Sequence, residues 1–178
     1  MDLERITKEA REYGFTHAHQ LDAASIELRQ EVRDMCAANT CGQYGTSWSC
    51  PPGCGELSEC EAKVRKYTTG ILVQTVGELE DELDGEGMME AEARHKKAFL
   101  ALKDELKKEF PALLPLGAGA CRICKTCTYP DAPCRFPDKA VSSMEAFGML
   151  VSQVCTANDV PYYYGRNTIA YTSCFLLE

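Results

Sequence analysis

Four cysteines in one short stretch carry the most specific chemistry of this sequence. They are Cys121, Cys124, Cys127 and Cys134, in the pattern Cys-x2-Cys-x2-Cys-x6-Cys. Three thiols at intervals of three residues wrap the chain around an object with several coordination corners, as in bacterial ferredoxins. The fourth cysteine matches that pattern only in part, because Cys134 follows six intervening residues and is preceded, not followed, by a proline. Zinc sites usually combine two Cys-x2-Cys pairs separated by a longer loop. The spacing therefore favours a [4Fe–4S] cluster, with zinc as the alternative.

A second set of cysteines lies in the first half of the chain. Its members are Cys36, Cys41, Cys50, Cys54 and Cys60. Four of these five thiols are enough for a second cluster, but their irregular spacing is less diagnostic, and a zinc site is a serious alternative. Cys50 is followed by Pro51 and Pro52, which stiffen the backbone beside the thiol and remove two N–H donors.

The composition indicates in which cellular compartment, and with which classes of partner, these thiols would function. The chain has 178 residues, 45% of them hydrophobic, a net charge of −8 and eleven cysteines, an odd number. The charge argues against nucleic acid or an anionic membrane surface as the main partner. The N-terminal segment is charged and amphipathic, without the apolar region of a signal peptide, and no apolar run is long enough to span a membrane. We therefore expect a cytoplasmic protein with reduced thiols that bind metal, rather than a disulfide scaffold.

Both cysteine sets also resemble a known family. The segments CAANTCGQYGTSWSCPPGCG and GAGACRICKTCTYPDAPCRFPDKAVSSMEAFGM are similar to those of a cysteine-rich family of predicted metal-binding proteins of unknown function, common in anaerobic bacteria and archaea. The resemblance covers nearly the whole chain and implies a metal, iron–sulfur in kind, but no established reaction. It also implies that Cys60 occupies a family cysteine position, whereas Cys54 is an addition peculiar to this chain.

The elements that must position these thiols follow from apolar periodicity. Helices are predicted at residues 3–13, 56–67 and 88–110, with a further helix that opens at Ser142 and carries Met144, Phe147, Val151, Val154 and Cys155 on its apolar face. Strands are predicted at residues 16–26, 70–76, 112–118, 161–165 and 168–177, the last two joined by a turn at 165–167. The acidic stretch 77–87 is predicted to be a solvated linker.

This balance of elements predicts an α+β fold, a largely antiparallel sheet with helices packed on one face and two cysteine-rich metal-binding loops. We interpret residues 1–178 as one metal-binding domain with its cysteine loops at 36–60 and 121–134.

Several other residues are expected to have structural or supporting roles. Cys155 lies on an apolar helix face and Cys174 in a strand, and buried cysteine is ordinary core material. His95 lies on the apolar face of its helix and is expected to be a packed core residue. Trp48 is expected either to shield a cluster from water or to fill the core. Lys125 and Arg135 are expected to offset thiolate charge.

The leading hypothesis is an iron–sulfur protein with two [4Fe–4S] clusters that carries electrons to or from a partner oxidoreductase. The acidic surface of the chain would favour docking onto a basic surface of that partner. The expected ligands are Cys36, Cys41, Cys50, Cys60, Cys121, Cys124, Cys127 and Cys134, with Cys54 as an alternative to Cys60. If only three thiols hold the first cluster, one iron is open and the protein is an enzyme that binds a small substrate or sulfur there. A zinc-stabilised binding module is the third alternative.

Overall fold

The computed structural model describes residues 1–178 and is built on one four-stranded antiparallel sheet with the strand order β1-β2-β4-β3. The strands are β1 (His17–Asp22), β2 (Thr69–Glu78), β3 (Leu114–Leu116) and β4 (Thr168–Leu177). The helices are α1 (Leu3–Glu12), α2 (Gln30–Ala37), α3 (Leu57–Val64), α4 (Gly85–Glu109) and α5 (Val151–Ala157). Two short 3₁₀ turns lie at Ala23–Ser25 and Glu145–Phe147. None of the helices combines the length and the apolar character that crossing a membrane requires.

The two central strands, β2 and β4, are buried on both faces. Ile71 and Phe175, which face each other in the register, pack with Phe99 and Leu102 of α4 and with α1. The α+β class and the antiparallel sheet are confirmed.

The opposite face of the sheet is also covered. There Leu72 and Cys174 pack with Cys60 of α3 and Val154 of α5. The sheet thus carries helices on both faces, where one was expected. The physical reason is that successive side chains of a strand point to opposite faces, and both alternating sets of β2 and β4 are apolar here.

The segment 161–165 is not a strand, contrary to the sequence prediction. Side-chain hydrogen bonds fasten it to β2 instead of a ladder. The Tyr164 hydroxyl donates to Gln74 Oε1 at 2.5 Å, and Gln74 Nε2 donates to the carbonyl of Pro161 at 2.9 Å. Pro161 also lacks the N–H that a ladder would need.

The helix predicted to open at Ser142 is broken in the structure. Gly148 adopts φ +91°, a left-handed conformation that ends the 3₁₀ turn at Glu145–Phe147, and α5 begins only at Val151. A left-handed residue interrupts helical hydrogen bonding, and glycine adopts that conformation at little steric cost. The hydroxyl of Ser143, rather than that of Ser142, accepts from the Ala146 N–H of this turn at 3.0 Å.

The acidic stretch 77–87 is not a linker. It comprises the end of β2, a turn, and the first residues of α4. Asp84 caps α4 by accepting from the Gly87 N–H at 2.9 Å, so part of the acidic charge serves to begin the helix.

Two backbone hydrogen bonds join the two ends of the second cysteine segment. Gly117, at the end of β3, donates its N–H to the Ser142 carbonyl at 2.9 Å and accepts from the Met144 N–H at 3.1 Å. These two bonds close residues 118–141 into one loop that leaves and rejoins the sheet at the same edge. The cysteines of that loop are therefore held beside β3 without any regular element of their own.

Candidate metal centres

The four cysteines of the second set line one pocket. Its thiols are those of Cys121, Cys124, Cys127 and Cys134, all partly exposed. Ile123 and Phe136 of the same loop and Trp48 of the first cysteine segment complete the walls. The site thus combines four soft sulfur donors with apolar and aromatic side chains, a combination suited to a metal centre shielded from water.

Backbone donors surround one of these sulfurs. Burial raises the pKa of Cys127, but N–H groups of Tyr129, Trp48 and Thr128 point at the sulfur, and together with Arg135 they hold the pKa below its ordinary value. Hydrogen bonds to the charged form favour the thiolate, which is the form that binds metal. Arg135 is itself oriented by a 2.8 Å hydrogen bond to the Thr126 carbonyl.

Trp48 joins the two cysteine segments. Its indole N–H donates to the Ala132 carbonyl at 3.0 Å, and its ring lies edge-on to Tyr129 with centroids 4.9 Å apart. Trp48 is half-buried at the wall of the thiol pocket and belongs to neither core cluster, so it does not fill the core. It also places the first cysteine segment directly against the second.

Two thiols of the first set lie beside the 3₁₀ turn at Glu145–Phe147. The Cys36 sulfur, at the end of α2, lies 3.9 Å from the Glu145 carbonyl, and the Cys54 sulfur lies 3.5 Å from the next carbonyl, that of Ala146. Cys50 is buried, whereas Cys41 is exposed. Burial raises the pKa of Cys36, Arg33 opposes that rise, and Cys41 and Cys50 lie near enough to add to it.

Cys54 and Cys60, the two alternatives for a fourth ligand, form a buried pair. The pKa of Cys54 is raised by its hydrogen bond with Cys60 and by burial, whereas the same hydrogen bond lowers the pKa of Cys60 against the effect of burial. The charge of Cys50 contributes to the shift at Cys54. Cys60 itself is fully buried in the apolar cluster below the sheet.

Arg33 is the residue at this site that the sequence analysis missed. Its side chain is buried, donates to the carbonyls of Ala146 at 3.0 Å and Gly55 at 2.8 Å, and lies 3.9 Å from the Cys54 sulfur and 3.7 Å from the Cys60 sulfur.

No carboxylate forms an ion pair with Arg33. A buried guanidinium needs an anionic or hydrogen-bonding partner, and the thiols of Cys54 and Cys60 are the potential anions it contacts. One signal in the sequence could have found it. Arg33 precedes Cys36 by three residues on a helix, so the two side chains share a face.

No three Cys, His, Asp or Glu side chains lie close enough together to hold a single metal ion. The four thiols of the second set line the walls of one pocket instead of meeting at one point.

The remaining candidates are core residues, as predicted. Cys155 and Cys174 are fully buried, and burial raises the pKa of Cys155 to about 11 and raises that of Cys174 further. His95 lies between two hydroxyls, with Nδ1 2.9 Å from Thr75 Oγ1 and Nε2 2.7 Å from Ser173 Oγ. Both ring nitrogens are therefore satisfied inside the core.

A protein-family model described as "Predicted metal-binding protein (DUF2284)" matches residues 19–177, which include every cysteine of both sets. The chain belongs to this family. The resemblance recognised from the two cysteine segments is thereby confirmed. No curated protein and no solved structure matches the chain. DUF2284 membership supports metal binding as the function of the two thiol sites and names neither the metal nor a reaction.

Proposed function

We propose that this member of the family is an iron–sulfur protein that holds two [4Fe–4S] clusters and exchanges electrons with a partner oxidoreductase. Four thiols of the loop at 121–134 would hold one cluster. Cys36, Cys41 and Cys50, with Cys60 or Cys54, would hold the other.

One observation carries the proposal. The four thiols of the second set line one pocket, and three of them have the Cys-x2-Cys-x2-Cys spacing. A tetrahedral zinc site draws its sulfurs to about 2.3 Å from a single point. A cubane instead presents separate iron corners to successive thiolates, and the Cys-x2-Cys-x2-Cys run has the spacing found in bacterial ferredoxins.

The surrounding residues would tune and protect such a centre. A bound [4Fe–4S] cluster supplies a one-electron couple whose potential depends on hydrogen bonds to sulfur and on exposure to solvent. The N–H groups directed at Cys127 would stabilise negative charge on the sulfur. Trp48 and Phe136 would restrict water at the pocket. Contact between the two cysteine segments through Trp48 would keep both centres within one short path for electrons.

At the first site, the buried Arg33 would offset the negative charge of the bound thiolates. Its contacts with both Cys54 and Cys60 keep both as alternatives for the fourth ligand.

The partner that we propose has a basic docking surface. The chain carries a net charge of −8 and thiolate-ligated clusters add negative charge, so complementary charge would favour the encounter. Reduced thiols of this number suit a reducing compartment, and we propose the cytoplasm.

Metal and sulfide analysis of protein purified without oxygen tests the proposal. We expect brown material with about eight iron and eight acid-labile sulfide per chain, the content of two cubanes. Cys124→Ala should lose about half of the iron, because a central thiolate of the run has no substitute nearby. Cys174→Ala, which removes a buried core thiol outside both sites, should keep it. One zinc per site without sulfide would contradict the proposal.

The number of ligands at the first site separates an electron carrier from an enzyme with an open iron. Cys54→Ala, Cys60→Ala and the double variant would be made, and the cluster spectra followed during titration with cyanide. If four thiolates saturate the cluster, the unmodified protein ignores cyanide and responds only after its fourth cysteine is removed. A response of the unmodified protein favours the open-iron enzyme.

A further inference from the structure

A cavity of about 320 Å³ lies next to the thiol pocket. The two share Cys121 and Ile123 and no other lining residue. This volume lies at the lower end of the range of about 300–1,000 Å³ that is typical of small-molecule sites. The cavity lies between α4 and the start of the cysteine loop, so the elements that position it are the same ones that position the second metal centre.

Its wall is apolar and well supported. Phe99 and Leu100 of α4 and Val141 at the end of the cysteine loop contribute side chains. The Phe99 ring stacks on Phe175 of β4 with centroids 4.7 Å apart, so the sheet holds it in place. The opposite wall is the backbone of residues 117–120, where small residues leave the cavity open.

The charged groups that line the cavity are all positive. They are Lys96, Arg122 and Lys139, and no Asp or Glu lines the cavity, although the chain has 27 acidic and 19 basic residues. Lys96 is neutralised by an ion pair with Glu92. Arg122 and Lys139 form no ion pair within the chain. Both side chains are exposed, and the Lys139 ammonium lies 5.9 Å from the centroid of the Phe136 ring. Two cations without a carboxylate partner beside an apolar cavity are the groups that recognise an anion with an apolar body.

Two other lining residues define what the cavity faces. His95 contributes only a wall, because Thr75 and Ser173 occupy both ring nitrogens. Cys121 lines this cavity and the thiol pocket at once. A molecule in the cavity therefore lies against a proposed ligand of the second metal centre.

We propose that this cavity binds a small organic carboxylate, whose carboxylate group pairs with Arg122 and Lys139 and whose apolar part packs on Phe99 and Val141. The proposal assigns a ligand site to the second centre. This ligand-site proposal rests on the proposed function only in assuming that the second cysteine set holds a metal.

The test compares a carboxylate with its neutral amide. Binding of 3-phenylpropanoate and of 3-phenylpropanamide to the anaerobically purified protein would be measured by calorimetry. Charge-assisted hydrogen bonds contribute about 1.5–3 kcal/mol, so the carboxylate should bind at least about tenfold more tightly. Arg122→Gln and Lys139→Gln should each weaken carboxylate binding by about tenfold or more and leave amide binding unchanged.

Lys97→Gln is the matched control, because it removes the same charge from an exposed position of α4 outside the cavity. It should not alter carboxylate binding. Each variant would also be analysed for metal, so that loss of the centre is not mistaken for loss of the ligand site. In the unmodified protein, the carboxylate should also perturb the absorption spectrum of the metal centre through Cys121.

Equal affinity for the carboxylate and the amide, or no carboxylate binding at millimolar concentration, would overturn the ligand site whatever metal the protein holds. Selective carboxylate binding by a protein that contains zinc and no sulfide would keep the ligand site and reject the electron-transfer function. The two proposals therefore fail separately.

Discussion

Replacement of Arg33 by methionine tests whether the first cysteine set is an anionic metal site. Methionine has a similar length and no charge, so it fills the space while removing both hydrogen bonds to the carbonyls of Gly55 and Ala146. Hydrogen bonds to charged groups contribute about 1.5–3 kcal/mol each, so the metal-loaded protein should lose about 3 kcal/mol of unfolding free energy at the lower bound.

The metal-free protein should lose less. The bonds from Arg33 to the two carbonyls are made in both forms, so the difference lies in the charge around the guanidinium. Without metal Cys54 stays protonated because its pKa is raised, and at most the Cys60 thiolate is left to balance the charge of Arg33. An apolar replacement of an unbalanced buried charge is often close to neutral or stabilising. The difference between the two forms, rather than either value alone, measures how far Arg33 serves the thiolates.

Urea unfolding under anaerobic, reducing conditions would be followed by circular dichroism for both forms, with metal content measured before each titration. Arg65→Met is the matched control, because Arg65 is exposed and makes only an i,i+4 ion pair with Glu61. Such pairs contribute about 0.3–0.5 kcal/mol. Arg33→Lys would separate charge from geometry, since lysine keeps the charge but lacks the planar fork that reaches both carbonyls. If Arg33→Met matches Arg65→Met in stability and keeps all its metal, the charge-balancing role is refuted.

Three further predictions follow from buried or constrained residues. Burial and Lys96 lower the pKa of His95 to about 4 from 6.5, so the unfolded chain binds more protons below about pH 6.5. Unfolding free energy should fall by about 2 kcal/mol from pH 7 to pH 5 beyond the pH dependence of the His95→Gln variant, and the His95 NMR signals should stay those of a neutral ring at pH 5. Gly148→Ala should cost about 1–3 kcal/mol in urea unfolding, since φ is +91° and the added Cβ would lie 2.6 Å from Leu57 Cδ1; an unchanged midpoint would mean that the turn relaxes freely. Trp48→Leu should speed the bleaching of the metal-loaded protein in air, because the indole closes the thiol pocket; an equal rate would remove its shielding role.

Local patterns in the sequence predicted most elements but not their packing. The long helix, the central strands and the antiparallel sheet follow from apolar periodicity, which depends only on residues near in sequence. The segment 161–165 shows the limit of that signal. It has the residues of a strand, but bonds from Gln74, which is distant in sequence, anchor it in another conformation. The break at Gly148 is similar, since a glycine can continue a helix or end it according to what surrounds it.

The sequence alone indicated metal binding, because sulfur donors at fixed spacing carry that signal without any knowledge of the fold. Only the tertiary structure decided which groups surround those donors. Trp48 lines the thiol pocket of the second cysteine set, although it lies about seventy positions before those cysteines in the sequence. Arg33 contacts Cys54 and Cys60 and donates to the Ala146 carbonyl. The cavity beside Cys121, lined by Arg122 and Lys139, is likewise formed by α4 and the cysteine loop. Contacts between residues far apart along the chain arise from packing on both faces of the sheet, and no periodicity in the sequence encodes them.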